Sequence, residues 1–334
     1  MSGLPAYRPP APSPEALVHW PEAFGTRFTL FVDTEEEFDW GAPFRRDGFG
    51  TAAITALPEA HRRFEARGVG IVYLIDYPIA CDPAAVDSLR QVLSDGRSEV
   101  GAQLHPWVTP PFDERLILSN SFAGNLADTL EAAKLDQLEK AIRLGFGRAP
   151  RVYRAGRYGL GAHTLRLLAA RGYRVDSSMR AGYDYSAEGG PDYTAIPNHA
   201  FRTGPHEAIL ELPLTTVFTG RARGGGGALY DRLGRLPKGM GMAARLRLLN
   251  RVSLTPEGMP LNEALEAIRV AAGEGVRLLN FAFHSPSLVP GNTPYVRDAA
   301  DLRCFWEWWE EVLDLLDRLG ILPASLEEIL AAAA

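Results

Sequence analysis

The sequence predicts an α/β protein built on a parallel sheet, and three observations carry that reading. Its 334 residues are 46% apolar and 23% charged, a globular composition with enough chain for one large domain and a substantial core. Short β-branched and aromatic runs alternate with longer segments whose apolar residues recur at helical spacing, the pattern of consecutive βα units. Gly68, Gly172 and Gly320 stand just past three of those helical segments, where a left-handed cap favours glycine.

Along the chain, residues 1–26 are Pro-rich and aperiodic, which predicts an extended arm on the surface. Seven strands are then expected, at 28–34, 69–75, 98–104, 150–155, 173–177, 209–214 and 277–283. Helical spacing appears at 52–67, 83–94, 124–145, 161–171, 262–273 and 299–319, the last carrying Trp306, Trp308 and Trp309. The stretch 218–260 breaks the alternation. Between Arg221 and Arg251 it holds eight positive residues, Arg221, Arg223, Arg232, Arg235, Lys238, Arg245, Arg247 and Arg251, against the single acid Asp231, and opens on a glycine run. It reads as an insertion with a solvated basic face, or as a mobile flap that meets an anionic ligand. Patterning leaves the sheet open or closed into a barrel. Either way, ligands meet the carboxyl ends of parallel strands.

Composition bounds the function. A net charge of −6 argues against nucleic acid as partner, because phosphate neutralisation needs a basic surplus. Two cysteines, Cys81 and Cys304, are too few for a disulfide framework and read as buried thiols in a reducing, cytoplasmic compartment. The N-terminus has no export-signal pattern, and no apolar run approaches the ~18 residues of a membrane span.

The strand ends carry the chemistry. Strand one ends in VDTEEEFDW, where period two points Asp33 and Glu35 to one side; crowded carboxylates there call for a cation. Glu36 and Glu37 read more simply as acids in the first turn of a following helix. Strand three ends in GAQLHPW, with Gln103 and His105 on one face. Strand four ends in YRAGRYG, carrying Arg154 and Arg157, and strand five in DSS, carrying Asp176. Strand seven ends in FAFHSPS, bringing His284 to the same rim. Folding gains little from desolvating such groups, so their convergence points to a site. His19, His61, His163, His199 and His206 fall elsewhere and are taken as structural or surface residues.

These blocks, VDTEEEFDW, EVGAQLHPW, YRAGRYG, VDSSM and FAFHSPS in that order, resemble the polysaccharide deacetylases of the chitooligosaccharide-deacetylase (NodB-homology) type. The resemblance implies a single domain over 27–330, a distorted seven-stranded parallel β/α barrel with the Arg/Gly-rich insertion after strand six. It implies a divalent metal, zinc first, with cobalt, nickel or manganese as alternatives. Asp33 matches the general base, Arg154 the residue that holds it, Glu35 the metal-binding acid and His284 the general acid. The family carries two metal-binding histidines with three residues between them in the second block; here Gln103 and Trp107 stand at those positions and His105 between them. Gln103, a neutral oxygen donor, binds zinc poorly beside imidazole, which implies a weaker metal site.

The expected reaction removes an acetyl group from an N-acetylated sugar or glycan precursor by metal-activated water. An amide N–H near Tyr158 would stabilise the oxyanion, Asp176 would orient His284, and Trp40, Trp107, Arg157 and Tyr158 would contact substrate or support the site. Two alternatives use the same residues: a non-catalytic carbohydrate-binding descendant that has lost metal affinity at Gln103, and an amidohydrolase of a small non-sugar amide. A glycosidase using Asp33 leaves His105 and His284 unexplained.

Overall fold

A computed structural model describes residues 6–236 and 238–334; residues 1–5 of the expected arm lie outside the described part. Strands form at β1 (Arg27–Thr34), β2 (Ile71–Ile75), β3 (Glu99–Leu104), β4 (Val152–Ala155), β5 (Val175–Asp176), β6 (Phe201–Thr203), β7 (Ile209–Glu211), β8 (Thr216–Thr219), β9 (Asn250–Ser253), β10 (Leu278–His284) and β11 (Leu322–Pro323). All seven expected strands therefore have a counterpart. The main sheet runs β10-β1-β2-β3-β4-β5-β7-β6, with β11 beside β1, and is parallel except where β6 pairs with β7. The antiparallel β6 and the two-residue β11 lack a recognisable pattern in sequence because they are too short to show period two.

The sheet curls into a half-barrel, and hydrogen bonds stitch its two ends. Thr215 N–H donates to Asn280 O (3.3 Å), Leu254 N–H to Thr215 O (3.2 Å) and Ala282 N–H to Leu254 O (3.2 Å), while Asn280 Nδ2 reaches Leu212 O at 2.8 Å. Strand alternation then sorts two layers. Leu30, Val32, Tyr73 and Tyr153 face the helices, and Phe31, Val72, Leu74, Val152 and Leu210 fill the concave side. Leu326, Ile329 and Leu330 of the helix Leu326–Ala332 join that inner cluster. On the outer side, Trp309 from the helix Ala299–Arg318 packs among Phe64, Phe281 and Phe283, which fixes β10 and so the carrier of His284.

Residues 6–26 lie along the surface near β6, where Val18 N–H donates to Ala200 O and Asp192 N–H to Tyr7 O, both at 2.9 Å. The basic stretch forms the antiparallel β8–β9 pair with helices Gly226–Gly234 and Gly239–Arg245 between its strands. Cys81 and Cys304 are exposed free thiols, not buried ones; each lies on a helix whose buried positions are taken by other apolar side chains. No helix among the described residues is long and apolar enough to cross a membrane.

Candidate active site

The parallel register sets the site. Asp33 on β1 pairs with His284 on β10, and Gln103 on β3 pairs with Arg154 on β4, so four polar residues meet at the carboxyl ends of adjacent strands. They line one cavity of about 200 Å³, room for several waters at about 30 Å³ each. Glu35, His105, Arg157, Tyr158 and Trp40 also reach it.

Arg154 is fully buried and committed to the base candidate. Its Nη1 donates to Asp33 Oδ1 at 2.7 Å, while Nε and Nη2 donate to the carbonyl and hydroxyl of Ser177. Asp33 Oδ2 lies 3.6 Å from His284 Nε2, too long for a direct bond.

The carboxylate behind His284 is Glu257. Its Oε2 lies 2.6 Å from Nδ1, its Oε1 accepts the His284 backbone N–H at 3.1 Å, and Ser287 Oγ donates to Oε1 at 2.5 Å. Burial pulls the His284 pKa down, but Glu257, Glu35 and Asp33 outweigh it and raise it to about 10. The expected partner Asp176 does not meet His284. Val175 and Leu210 face inward, so alternation turns Asp176 and Glu211 to the helix side, where Ser178 Oγ donates to Asp176 at 2.5 Å. Because the His284 pKa rises above its ordinary 6.5, its ionic contacts contribute stability fully below about 6.5 and lose it as pH climbs through about 10. In metal-free protein, NMR titration of His284 is expected to show imidazolium through pH 8 and neutralisation near 10.

On the other side, His105 is held from behind. Its Nδ1 lies 2.8 Å from Glu36 Oε2, and Trp107, stacked on the ring at 4.3 Å, donates its indole N–H to Glu36 Oε1 at 2.8 Å. Trp107 thus supports His105 and does not line the cavity. The N–H of Glu36 donates to Asp76 Oδ2, and the next helical turn after β1 begins only at Ala52, so Glu36 is not a helix-start acid. Glu37 instead makes a backbone bridge with Gly50. Lys134, fully buried, donates to the carbonyls of Pro106, Thr109 and Pro111 and fixes the loop after His105.

With Nδ1 facing Glu36, His105 Nε2 points to Glu35 Oε2 at 3.4 Å. Glu35 Oε1 and Gln103 Oε1 are buried without a hydrogen-bond partner among the described residues. Burial, with Glu36 and Asp33 adding and His284 and His105 opposing, pushes the Glu35 carboxyl up to about 8. Two buried oxygens without partners, an imidazole nitrogen on the cavity side and a buried carboxyl fit a divalent cation. Glu36, Asp76 and His105 Nδ1 also lie close enough to hold an ion. Their atoms are already committed, however: Asp76 accepts the amides of Ile79 and Glu36, and Glu36 accepts from Trp107 and His105.

The loop after β4 is shaped around this ring. A Cβ on Gly156 would overlap the His105 ring and sit 2.7 Å from Leu104 O. Arg157 and Tyr158 follow with φ of 54° and 59°, a conformation that costs of order 1–3 kcal/mol per residue. Tyr193, whose hydroxyl donates to Tyr158 O, holds the turn. Gly156→Ala is expected to destabilise the protein by about 1–3 kcal/mol in urea unfolding and to weaken divalent-metal uptake, because neither contact can yield.

The remaining predicted residues divide. Arg157 donates to Ser121 Oγ at 2.5 Å and pairs with Glu188; Trp40 sits edge-on to His284 with centroids 5.9 Å apart. His61 meets the Tyr73 hydroxyl and His163 meets Glu131, both outside the cavity lining. Sequence reasoning missed Glu257 and Arg180. A Pro-Glu-Gly acid at the end of a basic insertion is the faint signal that marked the former.

No family model matches the sequence, and no curated protein matches it. Solved structures do. A 4-α-glucanotransferase from Thermococcus litoralis is 11% identical with a TM-score of 0.53, the match covering 92% of this chain and 40% of that one. A chitin deacetylase from Colletotrichum lindemuthianum is 13% identical, TM-score 0.41, covering 96% and 92%. A peptidoglycan deacetylase from Bacillus subtilis is 10% identical, TM-score 0.37, covering 90% and 88%. The likeness is one of fold. Several of the similar structures are described as deacetylases of polysaccharide, chitin or peptidoglycan.

Proposed function

We propose that this chain is a metal-dependent hydrolase that removes an acetyl group from an N-acetylated sugar or glycan precursor, on a sheet that acts as a distorted seven-stranded barrel. The observation that carries this is the facing of two machines across one cavity: Asp33 held by Arg154, and His284 held by Glu257. Glu35, His105 Nε2 and Gln103 would hold the cation, which when bound would supply Lewis acidity and lower the pKa of water.

Arg154 occupies Asp33 Oδ1 and leaves Oδ2 to take a proton from the attacking water. His284 carries its proton at neutral pH, with Nδ1 fixed on Glu257, so Nε2–H is the donor for the leaving amine. Asp33 Oδ2 and His284 Nε2 thus face each other across the cavity as proton acceptor and proton donor, the roles that base and acid require. An amide in the turn at Arg157–Tyr158 would meet the developing oxyanion, a contact worth about 3 kcal/mol in comparable sites. Trp40 would pack against the sugar. A polar wall of this kind, with a proton donor opposite a proton acceptor, suits an amide better than a binding protein's sugar.

The test is acetate release from N-acetylglucosamine oligomers by protein loaded with zinc, cobalt, nickel or manganese in turn. Release that stops on chelation and returns with metal supports the reading; sugar binding with no release under any metal overturns it.

A further inference from the structure

Three arginines face the cavity, and they differ in what neutralises them. Arg154 has Asp33 and Arg157 has Glu188. Arg180 has no carboxylate within salt-bridge distance among the described residues. Its Nε and Nη2 donate to Ser253 Oγ at 3.1 and 2.7 Å, and Nη1 reaches the Tyr185 hydroxyl at 3.3 Å. A guanidinium has about five N–H donors, so donors on both terminal nitrogens remain for a ligand.

The setting raises the positive potential further. Arg180 lies 3.8 Å over the ring of Tyr183, and Arg251 covers the same ring at 3.6 Å, so one neutral aromatic separates two guanidiniums. Burial raises the Tyr183 hydroxyl pKa, yet Arg180, the hydrogen bond from Ser253 and Arg251 together lower it below its ordinary value. Stacking on tyrosine holds a cation in place but does not neutralise it. Arg180 is half-buried, and holding a half-buried cation without a counter-ion costs free energy that a ligand's negative charge would recover.

We infer that Arg180, with the Tyr185 hydroxyl beside it, is a subsite for an anionic group of the substrate, a carboxylate or a phosphate. The cavity therefore takes an acidic N-acetylated sugar in preference to a neutral one, an inference that rests on the deacetylase reading for the sugar but not for the anion. The planar fork of Arg180, pinned on one edge by Ser253, presents its other edge for two-point contact.

Calorimetric titration of the full-length protein with N-acetylglucosamine, N-acetylglucosamine 1-phosphate, N-acetylmuramic acid and inorganic phosphate tests this. One acidic sugar or both are expected to bind about tenfold or more tightly than the neutral one. That preference should shrink with rising salt and fall at least about tenfold in Arg180→Gln. The two acidic sugars distinguish phosphate from carboxylate. Equal affinity of wild type for acidic and neutral sugars overturns the proposal, as does a preference that survives in folded Arg180→Gln. If that variant does not fold, the wild-type ratio and its salt dependence decide alone. Acetate release, scored separately, distinguishes the two failures: release without anion preference removes the subsite, and anion preference without release removes the deacetylase reading.

Discussion

Asp33→Asn is expected to lower kcat for acetate release by about 10²–10⁴-fold, the range a positioned base contributes. The substitution keeps the shape of the side chain and an oxygen for Arg154 Nη1, so the loss would report proton acceptance and not position. It also removes the countercharge of a guanidinium with 0% exposure, and breaking a buried pair in this way costs about 3–5 kcal/mol. Urea unfolding should show that cost. Arg154→Met separates the two effects. In the double variant the uncompensated cation is gone, so stability should recover part of the loss while activity stays low, a non-additivity expected of contacting groups. Full activity in folded Asp33→Asn would remove Asp33 as the base.

Much of this arrangement was legible in the sequence because parallel strands enforce two simple rules. Polar residues at the carboxyl ends of buried runs share a rim, and alternation decides which of them face inward. Those rules place Asp33, Gln103, Arg154 and His284 around one cavity, as register pairs of neighbouring strands. They fail where the strand is too short to carry a phase. β5 is only Val175–Asp176, too short for its sequence to show that Asp176 faces the helices and not His284. They fail also where a partner arrives from an insertion. Glu257 follows β9, outside the parallel set, so no spacing ties it to His284. Glu36 was hidden by a different ambiguity, since an acid after a strand serves a helix N-terminus as readily as a buried imidazole. Only the packing of Trp107 against His105 distinguishes them.

Glu35→Gln is expected to weaken divalent-metal binding by two orders of magnitude or more, and Glu36→Gln by about 10–100-fold, the usual loss when a ligand's supporting hydrogen bond is removed. The ranking follows from which atoms are free. Glu35 keeps Oε1 buried with no partner and sets Oε2 3.4 Å from His105 Nε2; Glu36 spends both oxygens on His105 Nδ1 and Trp107. An ion held instead by Glu36, Asp76 and Nδ1 reverses the order, with Glu36→Gln and Asp76→Asn abolishing binding and Glu35→Gln nearly silent. Titration with zinc and with cobalt, whose visible spectrum reports its ligands, reads either outcome. Gln103→His sharpens the distinction. Gln103 Oε1 is buried and unpartnered, and Gln103 lines the cavity with Glu35 while Glu36 does not, so an imidazole there adds a better zinc donor and should tighten binding by tenfold or more. It leaves an ion on the Glu36 side untouched. Tightening by Gln103→His together with loss by Glu35→Gln therefore locates the cation in the cavity that Asp33 and His284 share.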